Sequence, residues 1–322
     1  MKPPLIVLTG PTAVGKTQLS IQLAKRIGGE IVSADSMQVY RHMDIGSAKI
    51  CPEQMQGVPH YMIDILEPDE EFHVVRFQEL ARAYIQDIYS RGRIPILTGG
   101  TGFYIQAILY DIDFTETEQD LSYRKFLETL EAEHGAGYLH QMLCEVDPDS
   151  AVKIHANNRK RVIRALEYYH ETGEPISRHN EQERKKESPY RFAYFVLSDD
   201  RAHLYNRIDQ RVDQMLKDGL LEEVRSLQQR GYTRNMVSMQ GLGYKEILAY
   251  LEGECTLDEA IYILKRDTRH FAKRQITWFK RERDTDWIFK QDYGYREERI
   301  LEHMFGILRE KGILQEEEWT NK

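Results

Sequence analysis

Cysteine is scarce in this chain of 322 residues. Its three cysteines, Cys51, Cys144 and Cys255, are odd in number and far apart. They offer neither a metal-ligand pair nor a disulfide framework, which points to a reducing compartment and to a cytoplasmic protein. Long apolar runs are missing as well. No segment approaches the ~18–20 apolar residues that cross a bilayer, so no membrane partner is expected. The opening MKPPLIVLTG carries a single cationic residue and a short apolar run, which excludes a signal-peptide reading. An excess of positive charge is also absent. The formal net charge of −8 argues against indiscriminate nucleic-acid binding by the whole surface. Local basic patches are nevertheless what contact phosphates. Internal repeats and low-complexity stretches do not occur.

What is present fits a water-soluble globular protein, with 41% apolar and 30% charged residues. LIVLT (5–9) is a short apolar run closed by Gly10-Pro11 and reads as a buried strand. QLSIQLAKRI (18–27) has helical spacing and stops at Gly28-Gly29. EIVSA (30–34) reads as a second strand, residues 76–90 as a helix, and IPILTG (94–99) as a third strand. This alternation predicts a parallel α/β sheet. From about 115 to 190 the chain is polar and helical, with no strand signal, before YRFAYFVLS (190–198) returns to strand character. Long helices follow at roughly 201–230 and 257–283, the second opened by Thr256 and Glu259 at capping-box spacing. A surface helix is expected over roughly 294–311. The resulting expectation is a P-loop NTPase-like α/β core, residues 1–114 plus 190–322, carrying an all-helical insertion domain over 115–189.

Between the first strand and the first helix lies Gly10-Pro11-Thr12-Ala13-Val14-Gly15-Lys16-Thr17. Glycines at this spacing let backbone N–H groups surround an anion at a helix N-terminus. Lys16 adds a full positive charge, and the Thr17 hydroxyl is suited to hold Mg2+. Asp35 follows the second strand, at the sheet edge where ligands of open α/β sheets bind. It could take a proton from a nucleophile or approach a metal through water. Ser36 and Gln38 add hydrogen-bonding groups beside it. In LTGGTGFY (97–104), Gly99 and Gly100 let the backbone approach a ligand, and Thr101 offers a hydroxyl.

Two basic segments stand out in this acidic chain. NNRKRVIRALE (157–167) puts Lys160, Arg161 and Arg164 on one side of a helix. LKRDTRHFAKRQITWFKRER (264–283) interleaves Lys273, Arg274 and six other cations with Phe271, Trp278 and Phe279. Either segment alone is explained by a solvated amphipathic face. Together they point to a nucleic-acid partner, in which cations neutralise the backbone and aromatic planes stack on bases. Arg207 and Arg211 lie one helical turn apart and could reach a phosphate.

In order along the chain, GPTAVGKT, SADSMQVYR, DIGSAK, GVPHYMID, GGTGFY, RVIRALEYY, GLGYKE and AKRQITWF closely resemble the bacterial tRNA dimethylallyltransferase family, also called tRNA isopentenyltransferases. The likeness covers about residues 5 to 290 and departs at Ala156 and Asn158, where relatives often carry Pro and Asp. It implies transfer of a dimethylallyl group from dimethylallyl diphosphate to N6 of the adenosine 3′ of a tRNA anticodon, with Mg2+. It also implies site roles. Asp35 is the general base, with Thr101 near the reacting centre. Lys16, Thr17 and Arg211 hold diphosphate and metal. Asp35, Ser36, Met37, Gln38 and Thr101 meet the target nucleotide. Arg124, Lys160, Arg161, Val162, Ile163, Arg164 and the 240–245 segment, with Gln240, Gly243, Tyr244 and Lys245, meet the anticodon stem-loop. Apart from the resemblance, the basic 264–283 segment itself predicts Lys273 and Arg274 as further tRNA contacts. ATP fits the same loop, and a monomer is expected. An ATP-dependent small-molecule kinase shares the loop but leaves the basic, aromatic 264–283 segment unexplained. An RNA-binding ATPase switch would want a carboxylate after IPILTGG, and there is none.

Overall fold

The computed structural model describes residues 2–114 and 121–315. The chain divides into two compact units, Met1–Leu109 with Pro189–Lys322, and Tyr110–Ser188.

The first unit is built on one six-stranded sheet: β1 (Pro4–Thr9), β2 (Glu30–Ser33), β3 (His60–Tyr61), β4 (Pro95–Gly99), β5 (Arg191–Ser198) and β6 (Thr285–Phe289). The strand order is β3-β2-β4-β1-β5-β6 and every pairing is parallel. In β1, Leu5 to Thr9 are all fully buried, as are Ala193 to Val196 in β5. Central parallel strands covered on both faces read as continuous apolar runs for this reason. The edge strands gave no such signal. β3 has two residues, and β6 (TDWIF) is only partly buried. Both lie outside the expected strands.

Helix Lys16–Ile27 follows β1 and ends with Gly28 in the left-handed conformation. Helix Leu257–Phe279 opens with the expected capping box. The Thr256 N–H donates to Glu259 Oε2 at 2.8 Å, and the Glu259 N–H returns to Thr256 Oγ1 at 3.3 Å. Helices Gly102–Leu109 and Tyr244–Leu251 lie outside the expected helices; each is eight residues long, the first mostly and the second half buried. Because all six strands run the same way, the segments after β1, β2, β4 and β5 leave from one edge of the sheet. That edge holds the phosphate loop, Asp35, Thr101 and Asp199.

Within the second unit the described residues form helices only: Leu121–His134, Ala136–Val146, Pro148–Lys153, Arg159–Thr172 and Ile176–Lys185. Leu127, Leu139, Leu143, Val162 and Leu166 make its core. Asp147, 1% exposed, accepts hydrogen bonds from the N–H groups of Ser150 (3.0 Å) and Ser177 (2.9 Å), joining two helix starts. Burial opposes its charge, but these bonds win and hold its carboxyl below the usual range.

Candidate active site

The loop at residues 10–17 begins with Gly10 at φ 147°, where a Cβ would come within 2.2 Å of the Leu197 carbonyl oxygen on β5. Only glycine fits there. Lys16 folds back over the loop, its ammonium donating to the carbonyls of Gly10 (3.0 Å) and Pro11 (2.9 Å). The residue keeps some solvent contact, yet burial of its ammonium and then the nearby Arg211 guanidinium lower its pKa to about 8, against a smaller pull from Asp35. Arg211 Nη1 lies 3.5 Å from Thr12 Oγ1 and Arg207 Nε donates to the Ala13 carbonyl at 2.9 Å. Both arginines come from helix Arg201–Lys217, one turn apart. Burial and Arg207 lower the Arg211 pKa. Thr17 is exposed in the first helical turn.

Asp35 leaves β2 in a tight turn. Its Oδ1 accepts from the N–H groups of Met37 (2.8 Å) and Gln38 (3.3 Å). Among the described residues no side chain or N–H bonds its second oxygen. The Thr101 N–H donates to the Ala34 carbonyl at 3.2 Å, which ties the end of β4 to the residue before Asp35. Tyr104, one turn further on, is buried, and burial, Tyr40 and then Asp35 raise its phenol.

Gln275, from helix Leu257–Phe279, joins two of these loops. Its Oε1 accepts from the Thr12 N–H at 2.9 Å and its Nε2 donates to the Gly100 carbonyl at 3.0 Å. A Cβ on Gly100 would lie 2.2 Å from that Nε2, so the amide needs glycine opposite it. Sequence reasoning assigned Gln275 no role. Its signal was an amide among the inward positions Leu264, Ala272 and Phe279.

A second joint gathers three further motifs. The Glu223 carboxylate accepts from the N–H groups of Asp44 (2.9 Å), Ile45 (2.7 Å) and Gly46 (3.1 Å), and from the Tyr244 hydroxyl (2.8 Å). Burial and Glu223 push the Tyr244 phenol well up. Gly243 donates its N–H to Glu246 Oε2 at 2.8 Å, and Lys245 pairs with the same carboxylate. Gln240 is exposed and donates to the Arg234 carbonyl. Gln38, expected to meet a base edge, gives its Nε2 to the Ala48 carbonyl at 3.2 Å. Ser36 and Met37 are partly exposed beside it.

The two basic segments differ in how their charges are used. On helix Leu257–Phe279, Lys265 and Arg269 pair with Asp213 and Asp209, and Arg266 pairs with Asp267. Lys273 and Arg274 are exposed and, among the described residues, form no ion pair. Arg274 lies over the Phe271 ring at 5.7 Å. With His270, Thr277, Trp278 and Arg281 they line a cavity of about 390 Å3. In the helical unit Lys160 and Arg161 are exposed and Arg164 is partly buried. Val162 and Ile163, 1% and 5% exposed, belong to that unit's core, so their side chains are turned away from solvent. Arg124 is held bidentate by Glu167, at 2.6 and 2.9 Å.

A parallel sheet with a cation-rich anion loop at its carboxyl edge defines a P-loop-like phosphate-binding protein. The chain belongs to the tRNA dimethylallyltransferase family: the IPP transferase family model matches residues 38–282, and the isopentenyl transferase model matches residues 3–69. It is 63% identical over 312 residues to the tRNA dimethylallyltransferase of Lachnoclostridium phytofermentans, spanning 97% of this chain and 99% of that protein. The Carboxydothermus hydrogenoformans enzyme of the same name is 53% identical over 314 residues, with 97% and 99% covered. Among solved structures, the full-length tRNA isopentenylpyrophosphate transferase of Bacillus halodurans is similar at 44% identity and a TM-score of 0.72, covering 97% of this chain and 98% of that one. A eukaryotic dimethylallyltransferase captured acting on tRNA shares 34% identity with a TM-score of 0.78, over 89% of this chain and 74% of that chain. Among the described residues no helix is long and apolar enough to cross a membrane.

Proposed function

We infer that this protein is a tRNA dimethylallyltransferase, alkylating N6 of the adenosine 3′ of the anticodon with dimethylallyl diphosphate. Its named relatives favour this activity over the kinase. The observation that carries the chemistry is the pairing, at one sheet edge, of a cationic loop with a carboxylate that keeps one oxygen free. The N6 lone pair attacks C1 of the dimethylallyl group as the carbon–oxygen bond to diphosphate breaks. Asp35 takes the proton that N6 loses, through the oxygen its turn leaves unbonded. Lys16, Arg211 and the loop N–H groups receive the charge that gathers on the departing diphosphate. Thr101, beside Asp35, helps fix the reacting groups.

Mg2+ fits this donor set. The exposed Thr17 hydroxyl offers one hard oxygen ligand, and diphosphate oxygens would supply most of the rest. The described residues contain no cluster of three acidic, histidine or cysteine side chains that could hold a metal ion without such a substrate. Bound there, Mg2+ would supply positive charge to the leaving group.

For tRNA, Lys273, Arg274 and Arg281 would neutralise backbone phosphates, while Trp278 offers a stacking surface for an extruded base. In the helical unit, Lys160 and Arg161 are the exposed cations suited to the same task. A cytoplasmic location accords with three free cysteines.

One assay tests the reading. The protein is incubated with unmodified tRNA, Mg2+ and radiolabelled dimethylallyl diphosphate, and in parallel with γ-labelled ATP. Label should enter tRNA from the first donor only. Phosphate transfer or ATP hydrolysis without prenylation would sink it.

A further inference from the structure

Lys290 follows β6 and lies beyond residues 38–282, the part of the chain that the IPP transferase model matches. It is 6% exposed, although lysines are almost never buried without a partner. Among the described residues its ammonium forms no ion pair. Its hydrogen-bond acceptor is the Val14 carbonyl of the phosphate loop, at 3.2 Å. The nearby carboxylates are already engaged. Asp199 accepts from the Asp200 N–H (2.8 Å) and the Tyr295 hydroxyl (3.1 Å), and pairs with His203 Nδ1 (2.6 Å). Glu297 accepts from Gln22 at 2.6 Å. A neutral amide could satisfy one carbonyl, so a buried charge there calls for another explanation.

The position of the ammonium supplies it. A Cβ on Gly15, the residue before helix Lys16–Ile27, would lie 3.2 Å from Lys290 Nζ and 3.7 Å from an Arg207 Nη2. Two cations and a helix N-terminus therefore converge at Gly15. They also complete a row. Lys16 is repelled by Arg211, Arg211 by Arg207, and Lys290 by Arg207. All four cations border a loop shaped for an anion, with Asp35 offsetting part of the repulsion at Lys16 and Asp199 and Glu297 part of it at Lys290, and a bound polyanion would relieve the rest.

We propose that Lys290 is a second donor-binding lysine, which with Arg207 holds the diphosphate of dimethylallyl diphosphate at the Gly15 end of the loop while Lys16 and Arg211 hold the rest. This rests on the reading of the donor as an allylic diphosphate. Lys290→Met and Lys290→Arg would be compared with the parent for equilibrium binding of dimethylallyl diphosphate, inorganic pyrophosphate and orthophosphate. Prenylation of tRNA at saturating donor would be measured alongside. Lys290→Met should weaken donor and pyrophosphate binding by about 10- to 100-fold, the loss expected for one charge-assisted hydrogen bond. Orthophosphate, too small to span the row, should lose less. Affinity for tRNA alone should stay within about threefold, and Lys290→Arg should recover most of the donor affinity. Lys290→Gln keeps a donor for the Val14 carbonyl, so it separates charge from fold if the methionine variant is unstable. Unchanged pyrophosphate and donor affinity in a folded Lys290→Met or Lys290→Gln protein overturns the proposal. So does a loss of turnover at saturating donor with affinity intact. Failure of the parent to prenylate tRNA would sink the transferase reading instead, and pyrophosphate binding would still judge Lys290.

Discussion

In the proposed mechanism Asp35 and Lys16 divide the chemistry between them, and each should fail in its own way. Removing the carboxylate with Asp35→Ala should lower kcat by about 10²- to 10⁴-fold, the usual worth of a positioned base, while donor affinity changes little. Single-turnover prenylation measured beside donor binding checks this, and full turnover in the variant would discard Asp35 as the base. Lys16 should set a pH limit. Its pKa is lowered to about 8, so the free loop loses this cation as pH rises through that value. The groups acting on it are Arg211, Asp35 and the carbonyls of Gly10 and Pro11. Donor affinity should therefore weaken progressively above about pH 8, and Lys16→Met should flatten the profile while weakening binding throughout. An affinity that stays constant to pH 10 in the parent would contradict the buried, repelled ammonium. The residues of the loop and Asp35 were legible in sequence because their spacing, between a strand and a helix, is itself the signal. Gln38 shows the limit. Its type suggested base recognition; the structure shows one amide N–H given to Ala48, and no sequence pattern shows which way a side chain turns.

Among the elements, helix Leu257–Phe279 does two jobs on two faces. Inward, Gln275 clasps the phosphate loop and the Gly100 turn. Gln275→Leu would leave the Thr12 N–H and the buried Gly100 carbonyl without partners, at about 1–3 kcal/mol for each group left unsatisfied. Urea unfolding should record that loss, and donor affinity should fall with it as the loop loosens. A variant of parental stability would show that water replaces the amide. Outward, the same helix offers Lys273 and Arg274. Neutralising both should weaken tRNA binding and reduce the slope of log K against log salt concentration by about two, one for each phosphate no longer neutralised. Unchanged binding at low salt would remove these two from the interface. The helix and its capping box were legible from composition and spacing. What could not be read was the division of its cations, since pairing with Asp209 and Asp213 depends on a helix fifty residues earlier.

At the scale of the whole molecule, the central strands of the sheet and the helical character of the middle segment follow from apolar patterning. The edges do not. A two-residue strand such as β3 is too short to have a period, and β6 mixes Thr and Asp with Trp, Ile and Phe because one side of it has no neighbouring strand. Lys290 escaped for the same reason. It sits just past that unremarkable strand, and only the sheet order carries it to a loop almost the whole chain away. Glu223 is similar, since a carboxylate on a surface-patterned helix carries no mark that it will gather three N–H groups of the 44–46 turn.

The sheet order also has a consequence for how the molecule comes into being. The phosphate loop follows β1, yet β1 lies between β4 and β5, and the groups around the loop come from residues 207, 211, 275 and 290, far later in the chain. A chain still emerging from the ribosome therefore carries the loop long before it carries the loop's walls. Any fragment that stops short of β6 has the recognisable motif without the enclosure. The loop's surroundings are completed only when residues as late as Lys290 fold back onto it.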